Sequence, residues 1–100
     1  MTLSAINPEV IAVLEKLGFE DNGNGATNET DGLLEQTFEH FAGARWISVY
    51  ISMETRVGST IVNIDLLDNG RVEDYSSHYA HTDEQIEHLA NVLKETLAKL

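Results

Sequence analysis

Residues 45–53 read Arg45-Trp46-Ile47-Ser48-Val49-Tyr50-Ile51-Ser52-Met53, and this stretch decides the fold. In an extended chain Ile47, Val49, Ile51 and Met53 fall on one side, and Trp46, Ser48, Tyr50 and Ser52 on the other. A strict period of two with unlike faces marks an antiparallel strand that covers a core on one side only. Downstream, Thr60 to Leu67 is a second β-rich run, with Val62, Ile64 and Leu66 sharing a face. Asp68-Asn69-Gly70 follows it. Asn-Gly between two such runs signals a hairpin, because both residues accept a positive φ. A Tyr- and Ser-rich strand over 71–79 completes the pair. Upstream, 33–41 reads as another strand, since Thr37-Phe38-Glu39-His40-Phe41 alternates and Ala42-Gly43-Ala44 can turn the chain. A short helix is the competing assignment there.

Helices bracket these strands. Asn7 is a good N-cap, Pro8 fits the first helical position, and Ile6 and Ile11 occupy the positions of a hydrophobic staple. Val10, Val13, Leu14 and Leu17 recur at helical spacing, and Gly18 supplies a left-handed stop with Phe19 folding back on Leu14. The helix is expected over about 8–17. At the other end, Thr82-Asp83-Glu84-Gln85 is a capping box. Ile86, Leu89, Ala90, Leu93, Leu97 and Leu100 then form a continuous apolar stripe. Acids lead this helix and Lys94 and Lys99 end it, as the macrodipole favours.

Residues 20–32 contain no large apolar side chain and are rich in Gly, Asn and acids, so they are expected to form a flexible loop. The fold class that follows is α+β: an N-terminal helix, an antiparallel β-meander of three to four strands, and a C-terminal helix. Both amphipathic helices are expected on one face of the sheet. One hundred residues suit a single domain over 1–100.

Charge is the main compositional fact. Seventeen acids face six bases, for a net charge of −11. Such a surface repels phosphate backbones and anionic membranes, so neither direct nucleic-acid binding nor membrane attachment is expected. It speeds encounters with basic proteins instead. There is no cysteine, which excludes disulfides and thiol chemistry and agrees with a cytoplasmic setting. The first residues lack the basic and apolar segments of a signal peptide.

Candidate chemistry fails at specific positions. A calcium loop needs side-chain oxygens at alternate positions. Counting from Asp21, the third and fifth positions are Gly23 and Gly25; counting from Asn22, the fifth is Ala26. A zinc site drawn on His78, His81 and His88 fails because a strand sends 78 and 81 to opposite faces. Neither a phosphate loop nor a nucleophile elbow is present, and the adjacency of Ser76, Ser77 and His78 implies no triad, whose geometry is spatial. The expectation is a protein without metal, cofactor or enzymatic activity.

The face carrying Trp46 and Tyr50 remains. Its expected neighbours are Asn63 and Asp65 on one strand and Tyr75 and Tyr79 on the next. Exposed aromatics ringed by Ser and acids have the composition of interaction hot spots. Acidic stretches flank them: Asp21, Glu29 and Asp31 lie within 20–39, which has no base, and Glu73 and Asp74 lie within 65–87, where Arg71 is the one Lys or Arg. The expected partner is therefore a basic, nucleic-acid-binding protein, inhibited by charge mimicry, as small phage or plasmid inhibitors of host defence enzymes act. A homodimer or a subunit of a larger assembly is the first alternative, and a ligand-binding module or enzyme with an unrecognised site the second.

Overall fold

A computed structural model describes residues 8–22, 26–28, 32–54 and 59–100. In chain order the elements are α1 (Pro8–Lys16), β1 (Glu20–Asp21), β2 (Ala26–Asn28), β3 (Leu33–Ala42), β4 (Arg45–Glu54), β5 (Ser59–Asp68), β6 (Arg71–Tyr79) and α2 (Asp83–Leu97). The class is α+β, with an antiparallel sheet between two helices in sequence.

Among the described residues the sheet has six strands rather than three to four, in the order β1-β3-β4-β5-β6, with β2 also paired to β3. The four long strands are the expected meander. The two additional ones come from the stretch expected to be a loop: Glu20 and Asp21 pair with Glu39 and Phe38, and Ala26–Asn28 pairs with Leu33–Glu35. Backbone groups alone can extend a sheet edge, so these short pieces leave no apolar alternation to read. Residues 23–25 and 29–31 of that stretch lie outside the described residues, as do Ile6 and Asn7.

Turn chemistry sets the register. Asn69 and Gly70 both take positive φ, 53° and 82°, as a two-residue type I′ hairpin demands. Gly43 has φ 70° at the first position of the β3–β4 turn, where a type II′ turn places glycine. With those registers, Gln36, Phe38 and His40 share a face with Ile51, Val49 and Ile47, and these with Val62, Ile64 and Leu66. Most of that face is buried, and Val10 and Leu14 of α1 and Leu89 and Leu93 of α2 belong to the same core cluster.

The helix ends follow from their sequences. At the end of α1, the Phe19 N–H donates to the Leu14 carbonyl at 2.9 Å and the Gly18 N–H to Glu15 at 3.1 Å, the two bonds of a Schellman motif. At the start of α2, the Gln85 N–H donates to Thr82 Oγ1 at 3.1 Å, and Gln85 Oε1 accepts from the Thr82 N–H at 3.2 Å. No helix is long and apolar enough to cross a membrane among the described residues.

Candidate functional site: an acidic, aromatic sheet face

The second face of the sheet is built by the positions that alternate with the core. Cross-strand register places Phe41, Trp46, Leu67 and Val72 in one row and Glu39, Ser48, Asp65 and Tyr75 in the next. Thr37, Tyr50, Asn63 and Ser77 form a third row, and Glu35, Ser52, Ile61 and Tyr79 a fourth. Glu20 joins the second row through its pairing with Glu39.

The first row is the most apolar. Phe41 is 63% exposed and Val72 58% exposed, large values for side chains of that kind. The rings of Phe41 and Trp46 lie 5.9 Å apart and tilted, within the range of favourable aromatic pairs. Tyr75 and Tyr79, on β6, are also well exposed. In the middle of the face the Tyr50 hydroxyl donates to the Glu35 carboxylate. Burial, and then this hydrogen bond and the carboxylate's charge, push the phenol up to about 12. Ser77 Oγ donates to Asn63 Oδ1.

Charge is distributed unevenly between the two sides. Glu20, Glu35, Glu39, Glu54 and Asp65 stand on the second face by register. Among the described residues no Lys or Arg shares it. Arg45, which alternates with Trp46, reaches the other side, where its Nη1 donates to the Lys99 carbonyl at 2.7 Å and its Nη2 pairs with Glu73 at 2.9 Å. Lys99 Nζ pairs with Asp74 at 2.8 Å.

Of the residues singled out from the sequence, Trp46, Tyr50, Asp65, Tyr75 and Tyr79 come together on this face. Asp21, Glu73 and Asp74 do not. Asp21 is paired with Phe38, on the core side, and its carboxylate accepts from Gln36 Nε2 at 2.6 Å. Glu73 and Asp74 serve the ion pairs just described. A β-bulge between Leu66 and Leu67 leaves Glu73 without a partner in the β5 register. Glu29 and Asp31 lie outside the described residues. Glu35 and Glu39 were legible only as members of the acidic stretch 20–39, and the apolar Phe41, Leu67 and Val72 carried no signal that placed them beside Trp46.

His81 Nε2 accepts from the Thr60 N–H at 2.9 Å, ending the β5–β6 ladder. His78 faces His88 of α2, and its Nε2 lies 2.9 Å from Ser76 Oγ. No three His, Asp or Glu side chains converge as metal ligands among the described residues. The grooves there are open to solvent rather than enclosed, including the one lined by Ser77, His78, Glu84 and His88. Comparison with protein-family models, with curated proteins and with solved structures finds no match for this chain.

Proposed function

We propose that this chain is a non-enzymatic interaction module that docks its second sheet face on a basic protein. The observation that supports it is the segregation just described: five carboxylates on one face beside a row that joins exposed Phe41 to half-buried Trp46, with the described cations turned away from it. In this reading both helices cover the core side, which leaves the other face free for a partner. Trp46, Phe41 and Leu67 supply desolvated contact area, and Glu20, Glu39 and Asp65 supply complementarity to Lys and Arg.

A basic surface that accepts such a face is typically one that otherwise holds a phosphate backbone. The consequence is inhibition by occupancy: the partner cannot bind nucleic acid while the carboxylates fill its groove. The mimicry rests on fewer groups than the full acidic count, because Glu73 and Asp74 are neutralised by Arg45 and Lys99.

The test is capture from lysate with immobilised protein at low salt, with identification of what is bound. The reading expects a basic protein that is released by added DNA or RNA, and by raising NaCl from about 50 to about 500 mM. Capture should fail with Trp46→Ala and with the double change Glu39→Lys/Asp65→Lys. Retention of the same protein by both variants would place the interface elsewhere, and recovery of no specific protein would remove the reading.

A further inference from the structure

The two edges of the sheet are unlike. On one side β3 is covered by the short β1 and β2. On the other, β6 ends the sheet, nine residues long, with no strand beyond it among the described residues. A long open edge is a template for another strand unless charges, prolines or bulges blunt it. The first half of β6 is blunted in that way. It carries Arg71, Glu73 and Asp74, the bulge opposite Leu66 and Leu67, and a Tyr75 N–H that donates to Asp74 Oδ1 at 2.9 Å. The second half, Tyr75-Ser76-Ser77-His78-Tyr79, has no formal charge and no proline.

Ladder parity shows which groups this half offers. The Ala80 N–H bonds the Thr60 carbonyl at 3.1 Å, so Ser76 and His78 turn their main-chain groups toward β5. Tyr75, Ser77 and Tyr79 turn theirs away. The donation of the Tyr75 N–H to a side chain, rather than to β5, agrees with that parity.

We propose that this half of β6 pairs antiparallel with the same segment of a second copy of the chain, about a two-fold axis at Ser77. The segment is palindromic on its exposed face, Tyr75-Ser77-Tyr79. A two-fold at Ser77 sets each Tyr75 against the partner's Tyr79 and joins the two Ser77 residues by reciprocal N–H to carbonyl bonds. The Tyr79 N–H donates to the carbonyl of the partner's Tyr75, so the N–H already held by Asp74 is not required. Self-complementary pairing of one patch is what a two-fold interface demands.

Charge selects a copy of this chain as the occupant at this edge. Two molecules of net charge −11 repel over most of their surface. At β6 they do not, because Glu73 and Asp74 are paired to Arg45 and Lys99, and the tyrosines and serines that follow are neutral. Other groups near the edge are His78, which faces His88, and Glu84, which lines the groove beside them. The sheets of the two copies become continuous, and the acidic, aromatic faces lie side by side on one surface.

The experiment is analytical ultracentrifugation of the full chain from about 10 µM to about 1 mM, at low and high NaCl, on the wild type and two variants. A reversible dimer is expected whose dissociation constant falls about tenfold or more as salt screens the net charge. Salt weakens docking on a basic partner, so the opposite sign separates this dimer from the proposed function. Ser77→Pro removes an outward N–H and is tolerated at a strand edge, and it should abolish the dimer while the circular dichroism stays unchanged. Tyr75→Glu/Tyr79→Glu should do the same by placing carboxylates opposite each other. A chain monomeric at every concentration and salt would overturn the proposal, as would a dimer that both variants leave intact.

Discussion

His78 of β6 and His88 of α2 meet with ring centroids 5.8 Å apart and planes at 61°. Burial, and then the neighbouring His88, hold His78 below its ordinary value of 6.5. A histidine with a lowered folded pKa takes up its proton later than it would in the unfolded chain. Its contribution to stability is therefore intact above about 6.5 and is lost as the pH falls from there through the lowered folded value. Urea midpoints measured at closely spaced pH values around this window should decline for the wild type, and less for His78→Gln. Parallel curves for the two proteins would show that the pair does not govern the transition.

Tyr50 is the second titration to follow. Its phenol ionises at about 12 because it is partly buried and donates to Glu35. A spectrophotometric titration near 295 nm should show a late step that disappears in Tyr50→Phe and moves to lower pH in Glu35→Gln. Since the folded value lies above the unfolded one near 10, Tyr50 stabilises the fold below pH 10 and loses that contribution as the pH rises toward 12. An unchanged late step in Glu35→Gln would separate the hydroxyl from that carboxylate.

Arg45 ties the start of β4 to the end of the chain through the Lys99 carbonyl. Arg45→Met keeps the aliphatic stem and removes both this bond and the pairing with Glu73. The expected loss is about 1 kcal/mol, held down by solvent screening of a partly exposed pair. Lys99→Ala leaves the backbone carbonyl in place and should cost less. Chemical denaturation of both variants checks the order, and hydrogen exchange in the last turn of α2 should rise in Arg45→Met alone.

Gly70→Ala tests the β5–β6 turn. With φ at 82° a β-carbon is strained whatever the surrounding space, and open space surrounds this one. The cost should be about 1 kcal/mol and come from backbone conformation alone. Asn69→Ala, at φ 53°, should destabilise in the same direction. A Gly70→Ala variant as stable as the wild type would mean that the hairpin tolerates another turn.

In the core, Ile51 is fully buried beside Val62 and Gln36. Ile51→Ala should cost about 3 kcal/mol, whereas Tyr75→Ala on the exposed edge should change monomer stability little. Thermal unfolding of the two variants at a concentration low enough to avoid self-association decides it.

Local signals in the chain carried much of the architecture. The alternation of 45–53, the Asn69-Gly70 pair and the Thr82–Gln85 box each specify a conformation within a few residues, and β4, the β5–β6 turn and the start of α2 follow them. The terminal glycine of α1 was legible for the same reason, since only a residue free of a β-carbon closes a helix cheaply in that conformation. Strands β1 and β2 were not legible, because they join the sheet through backbone bonds to β3 and are too short to show an apolar alternation in the sequence.

The candidate face divides along the same line. Sequence alternation alone determined that Trp46 and Tyr50 oppose the core, because strand geometry sends successive side chains to opposite sides. Only the tertiary structure decided which carboxylates accompany them besides the expected Asp65. Glu35, Glu39 and Glu54 arrive there through cross-strand register, while Asp21, Glu73 and Asp74 are held elsewhere by Gln36, Arg45 and Lys99. Charge counted along a chain is a sum, whereas a charged face depends on pairings between residues as far apart as Arg45 and Lys99, and those form only once the chain has folded.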